Sequence, residues 1–140
     1  MTYLLDTNVI SEPVNLAPNP NVLGKLKEHE GALAIPSVVW HELVFGARRL
    51  PDSKRRRAIE TYLFEVVEKN LPILPYDARA AALHGEERAR LRGLGLEPPF
   101  ADGQIAAIAR ANDLVLVTRN SGHFERFGGI RVENWFEAAP

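Results

Sequence analysis

Apolar residues in this chain fall into short unbroken runs, separated by stretches with helical spacing. The runs at Thr2–Asp6, Ala32–Ile35, Leu71–Leu74, Leu114–Thr118 and Ile130–Val132 show no polar–apolar alternation. That is the pattern of strands buried on both faces of a parallel sheet. Helical segments lie between them. A short one, capped by Asp6 or Thr7, runs through Ser11 and stops near Pro13. Others are predicted over Asn21 to Glu30, Ser37 to about Leu50, Lys54 to Asn70, Asp77 to about Arg92, and Ala101 to Asn112. Ser37, Ser53 and Asp77 are the expected caps. Pro18-Asn19-Pro20, Gly31, Pro51-Asp52 and the stretch from Gly93 to Pro99 punctuate the pattern. Strands alternating with helices predict an α/β fold: three layers, α/β/α, around a five-stranded parallel sheet. Ligands of such sheets bind beyond the carboxyl ends of strands, where strand order reverses. Asp6 closes the first strand and Thr118-Arg119-Asn120 follows the fourth, so the two segments meet if those strands are neighbours.

Three acids stand among apolar neighbours. They are Asp6 after Leu4-Leu5, Glu42 within Val38-Val39-Trp40-His41-Glu42-Leu43-Val44, and Asp102 within Ala101-Asp102-Gly103-Gln104-Ile105. Each has an ordinary explanation when taken alone. Asp6 and Asp102 can cap helices. Glu42, expected on a stripe with Val38, Val39, Phe45 and Gly46, can sit in a structural ion pair. At one end of one sheet, however, the three would repel one another and pay for desolvation. A cation removes that conflict. Oxygen ligands without Cys or His favour Mg²⁺ or Mn²⁺ over zinc. Mg²⁺ keeps several waters and takes one or two carboxylates plus substrate phosphates, so the expected chemistry is phosphodiester hydrolysis. Asp6 and Asp102 are the expected direct ligands. Glu42 ligates directly, holds a second ion, or orients the attacking water.

Composition narrows the remaining choices. The 140 residues are 46% hydrophobic and 25% charged, which suits a single domain over residues 1–140 with one core. A net charge of −1 means that any nucleic-acid surface is local. The absence of cysteine excludes disulfides, thiolate zinc sites and a cysteine nucleophile. No apolar run approaches the roughly 20 residues of a membrane helix, and the start lacks a signal-peptide pattern. The expected setting is cytoplasmic. His41-Glu42 begins like a zinc-protease motif, but position 45 is Phe and the second histidine is missing. His123 reads as a surface-loop residue. Lys54-Arg55-Arg56-Arg57 can contact RNA phosphates but reads better as a solvated helix start, although cations there oppose the helix dipole. Arg79, Arg88, Arg90 and Arg92 with Glu86 and Glu87 read as a mixed solvated face. Trp40, Phe45, Leu50, Leu63 and Phe64 exceed what one helix pair needs, so part of their surface is expected to serve a partner.

Leu5-Asp6-Thr7-Asn8-Val9-Ile10-Ser11-Glu12, Glu42 in its helix, Ala101-Asp102-Gly103-Gln104-Ile105-Ala106-Ala107, Val117-Thr118-Arg119-Asn120 before Phe124, and the closing Val132-Glu133-Asn134-Trp135 stand in a specific order and spacing. In that order they resemble the PIN-domain ribonucleases of the VapC type, in particular their FitB-like branch. The resemblance covers nearly the whole chain. It implies a PIN-like three-layer fold and Mg²⁺- or Mn²⁺-dependent endoribonuclease activity on RNA. It further implies a toxin role in a type II toxin–antitoxin pair, homodimerisation, and inhibition by a VapB- or FitA-like antitoxin. The family's metal-site acids carry over to Asp6, Glu42 and Asp102. A fourth acid often follows the last central strand, where this chain has the neutral and weaker Asn120; that departure bears on a second metal. Thr118 resembles the family's Ser/Thr near the site, whose hydroxyl bonds a carboxylate or a metal water. Asn8 is expected to orient Asp6 or the local backbone, and Arg119 to contact a phosphate. The alternative is a non-catalytic PIN module that binds RNA or a protein. A small-molecule phosphatase is disfavoured, because Asn8 stands where a second Asp would follow its aspartyl nucleophile.

Overall fold

The strands are β1 (Tyr3–Leu5), β2 (Leu33–Pro36), β3 (Ile73–Leu74), β4 (Val115–Val117) and β5 (Val132–Glu133). They were located in a computed structural model that describes residues 1–137. They form one five-stranded sheet in the order β3-β2-β1-β4-β5, and every pairing is parallel. The apolar runs predicted this sheet because a strand covered on both faces has no solvent side to mark with polar residues. Leu4, Leu5, Ile35, Leu116 and Val117 are fully buried in it.

The helices are α1 (Thr7–Ile10), α2 (Pro20–Glu28), α3 (Ser37–Arg48), α4 (Lys54–Thr61), α5 (Glu68–Asn70), α6 (Ala78–Gly93) and α7 (Phe100–Ala111). The chain steps from β1 through β2 to β3, then returns past β1 to β4. Parallel connections are right-handed, so this reversal puts the helices before β3 and those after it on opposite faces. The reversal lies between β1 and β4, which pair with Leu5 opposite Val117. The Asp6 backbone N–H continues the ladder by donating to the Val117 carbonyl at 2.9 Å. The segments after β1 and β4 therefore meet, as the sequence required for a shared site.

Several local expectations are corrected. Ser37 is not a cap: Pro36 holds the N-cap position and Ser37 begins α3. Ser53 and Asp77 do cap, accepting from the backbone N–H groups of Arg56 and Ala80. The predicted single helix from Lys54 to Asn70 is interrupted by a π-helical segment at Tyr62–Val67. That segment aims the Tyr62 hydroxyl at the Ile10 carbonyl, to which it donates at 2.6 Å, and burial pushes the phenol pKa up to about 12. Glu87 is not on a solvated face. It is buried on α6, where Arg90 and the Gly128 N–H bond its carboxylate.

Candidate active site

Asp6 turns the chain from β1 into α1. Its Oδ1 accepts from the Thr7 N–H at 2.8 Å, the capping role open to any acid at this junction. Its second oxygen does more. Oδ2 accepts from the Thr118 hydroxyl at 2.8 Å, across 112 positions of sequence. Thr118 is fully buried at the end of β4, and the same hydroxyl oxygen accepts from the Asn120 N–H at 3.1 Å. Both Asp6 oxygens are thus held. Asn8 acts on the neighbouring loop: its Oδ1 accepts from the Arg119 N–H at 3.1 Å. Of the two roles expected for Asn8, the structure shows the one toward the local backbone.

Asp102 approaches from the first turn of α7 but does not cap it. The N-cap is Pro99, and the Asp102 side chain makes no cap bond. Its Oδ2 is buried and, among the described residues, has no hydrogen-bond partner. Burial raises the carboxyl pKa above the ordinary range, the Asp6 charge raises it further, and His123 pulls the other way. His123 Nδ1 is 3.9 Å from Oδ2, beyond hydrogen-bond reach. Gly103 lets this arrangement form. The His84 ring of α6 lies so close that a Cβ at position 103 would overlap it. A glycine immediately after Asp102 therefore allows α6 and α7 to approach closely.

The structure brings Asp6 and Asp102 together and leaves the third acid apart. Glu42 is exposed on α3, contrary to the apolar setting expected for it. The inward face of α3 is Val39, Leu43 and Ala47, two four-residue steps, whereas Phe45 is 59% exposed. The short run around Glu42 is apolar on several sides, so neighbours alone did not reveal which stripe faces the sheet. Glu42 lines a surface groove together with Thr7, the residue after Asp6. Among the described residues, no three His, Cys, Asp or Glu side chains are gathered as a ready metal cage. Two carboxylates, one with an unpartnered buried oxygen, still suit a hard cation that keeps much of its water.

The remaining candidates lie around this pair. Asn120 is exposed just beyond Thr118. Arg119 is exposed, its guanidinium 4.9 Å from the centre of the Phe136 ring. Part of the basic run is paired within the chain: Arg56 pairs with Glu60 and Arg57 with Asp52, while Arg55 donates one bond to the Val14 carbonyl. Of the aromatic cluster, Leu63 is buried core and Trp40 packs edge-on against Phe64, leaving Phe45 as its exposed member. His123, expected in a surface loop, is exposed and also stands beside the acid pair. Its only signal was a place three positions after Asn120, and the turn at Ser121–Phe124 brings it to Asp102.

Residues 3–130 match the PIN domain family. The chain is 33% identical to a tRNA(fMet)-specific endonuclease VapC of Shigella flexneri, over 96% of this chain and 98% of that protein. It is 34% identical to the toxin FitB of Neisseria gonorrhoeae, over 86% of this chain and 89% of that one. Among solved structures, the FitAcB crystal structure from Neisseria gonorrhoeae superposes with a TM-score of 0.88 at 30% identity, covering 98% of this chain and 100% of that chain. A DNA-bound VapBC structure from Salmonella typhimurium superposes with a TM-score of 0.83 at 31% identity, covering 96% and 98%. With the family matched over most of its length and relatives aligned end to end, the chain belongs to the PIN-domain family, among its VapC and FitB members.

Proposed function

We propose that this protein is a metal-dependent endoribonuclease and the toxin of a type II toxin–antitoxin pair, held inactive by a small VapB- or FitA-like antitoxin. The observation that carries the nuclease reading is the Asp6–Asp102 pair, with its buried, unpartnered Asp102 oxygen and raised carboxyl pKa. Asp6 and Asp102 would hold Mg²⁺ or Mn²⁺. The ion would supply a Lewis acid at the phosphoryl oxygen and a bound water of lowered pKa. Thr118 fixes the direction of Asp6 by its hydrogen bond. Glu42, in the groove that Thr7 also lines, is assigned to a metal water or a second ion, and Asn120 to an outer position at the same ion. Arg119, exposed beside the cleft, is assigned to a substrate phosphate. The names of the relatives support the toxin role, and solved VapBC and FitAB complexes support an antitoxin partner. Homodimerisation is part of the same proposal.

The test is cleavage of single-stranded RNA by the purified protein. Cleavage should require Mg²⁺ or Mn²⁺, stop with EDTA, return when either ion is restored, and return poorly with Zn²⁺. Expression alone should be toxic, and co-expression of the antitoxin should suppress toxicity. The second reading, a non-catalytic binding module, draws on Asn120 and on the exposed position of Glu42. RNA binding without cleavage under any divalent ion would establish it instead.

A further inference from the structure

The groove that contains Glu42 has more chemistry than a metal site needs. It lies between α1 and the helices α3 and α4, with a volume of about 370 Å³. Thr7, the residue after Asp6, is part of its lining. Phe45, Gly46, Arg49 and Arg55 also line it. Glu42 and Phe45 on α3 and Arg49, its C-cap in helical conformation, are spaced i, i+3, i+7, so they form one stripe about 10 Å long at 1.5 Å per residue. Phe45 is 59% exposed and lies nearly parallel to the His41 ring, with interplanar angle 25° and centroids 6.5 Å apart. No ion pair among the described residues involves Arg49. Gly46 has no heavy atom within 4 Å of the place a Cβ would occupy. Glycine is a poor residue for a helix interior. Packing does not require it here, and its missing side chain keeps the groove floor open.

We propose that this groove is the path of the RNA strand, with a base stacked on Phe45 and backbone phosphates on Arg49 and Arg55. The proposal rests on RNA being the substrate and deepens that reading by naming the subsite. An exposed aromatic ring beside cations is the usual device for binding single strands, because every base has a face to stack while the cations follow the backbone. A duplex hides its base faces, so the site selects unpaired RNA. In a chain of net charge −1, two arginines lining one groove are a local attraction for phosphate. Continuity through Thr7 directs the strand to Asp6. Arg55 is braced for this task by its bond to the Val14 carbonyl at 2.7 Å.

The experiment compares the whole protein with Phe45→Ala, Phe45→Trp, Gly46→Leu and Arg49→Ala. The readouts are steady-state cleavage with Mg²⁺ and anisotropy of a short fluorescein-labelled single-stranded RNA in EDTA. Phe45→Ala should weaken RNA binding about tenfold and raise KM while leaving kcat near its starting value, and Phe45→Trp should restore binding. Gly46→Leu fills open space and should raise KM without unfolding α3. Arg49→Ala should reduce the salt dependence of binding by about 0.7 in log–log slope, the share of one phosphate on a single strand, whereas Phe45→Ala should leave that slope unchanged. Unchanged KM and affinity in all variants, with cleavage by the parent intact, would overturn the groove assignment and leave the nuclease reading standing. Absence of both binding and cleavage in the parent would overturn the two together. Variants that lose self-association or antitoxin binding while keeping RNA affinity would assign the groove to a protein and overturn the proposal.

Discussion

Two acids on adjacent helices differ in how they are buried. Glu87 on α6 is buried and fully used: Arg90 and the Gly128 N–H bond its oxygens, and the Arg110 charge lies near. The Arg90 hydrogen bond leads in holding its carboxyl below the ordinary range, against the pull of burial. Asp102 on α7 is partly buried, with 20% of its side chain exposed, yet one oxygen has no partner and its pKa moves up. Only Asp102 was legible as an acid among apolar residues; Glu87 stands between charged neighbours and read as part of a solvated face. Glu87 is an element of structure, because all that its charge needs is provided by the chain. Asp102 is poised for something outside the chain, because burial and Asp6 oppose its charge and His123 offsets them only in part.

Asp102→Asn breaks the comparison most sharply. RNA cleavage should fall to background while circular dichroism stays native. Asp6→Asn should match it. Cleavage retained in either variant would remove these acids from the site.

Glu87→Ala should do the opposite. Removing this acid strands the Gly128 N–H and the Arg90 guanidinium, at a cost of about 2 kcal/mol in urea unfolding. Cleavage per folded molecule should persist at low temperature. Loss of activity without loss of stability would show that Glu87 is more than structural.

Thr118→Val tests how firmly Asp6 is held. The change keeps the shape but deletes a buried hydroxyl that donates to Asp6 and accepts from the Asn120 N–H. Stability should drop by about 1 kcal/mol, with kcat lowered and Thr118→Ser near wild type.

The two acids should also have opposite pH signatures. Glu87, with its pKa lowered in the fold, contributes stability that is present above its ordinary value of 4.5 and is lost as pH falls through the lower folded value. Asp102, with its pKa raised, costs stability as pH rises from 3.8 through the higher folded value, because the unfolded chain releases its proton first. Asp102→Asn should therefore be more stable than wild type near neutral pH, and this advantage should vanish on acidification below the ordinary carboxylate range. Denaturant midpoints across pH measure both slopes; a constant difference between Asp102→Asn and wild type would contradict the assigned shift.

The smallest effect is expected from Asn120→Asp, which adds a carboxylate near the pair. If a second ion is limiting, the Mg²⁺ concentration for half-maximal cleavage should fall. An unchanged activation curve would place Asn120 away from the ion.

Alternation of short apolar runs with helical stretches established the class of fold, because a strand buried on both faces can be read from its own residues. The caps at Ser53 and Asp77 were equally local, since a side chain reaches only two or three residues along the chain. Asp6 was legible as the acid at a strand–helix junction, and Asp102 as an acid opening an apolar helix. The resemblance to PIN ribonucleases rested on these same residues in order. What the sequence did not reveal depended on contacts between distant segments. Which face of α3 meets the sheet decided that Glu42 is exposed, and several stripes of that helix were apolar enough to serve. The burial of Glu87 needed Gly128, forty-one positions away. The Thr118 bond to Asp6 spans 112 positions and exists because the return past β1 makes β1 and β4 neighbours. The orphaned oxygen of Asp102 belongs to the same class. A missing partner is a property of everything that surrounds an atom, so only the packed tertiary structure could decide it.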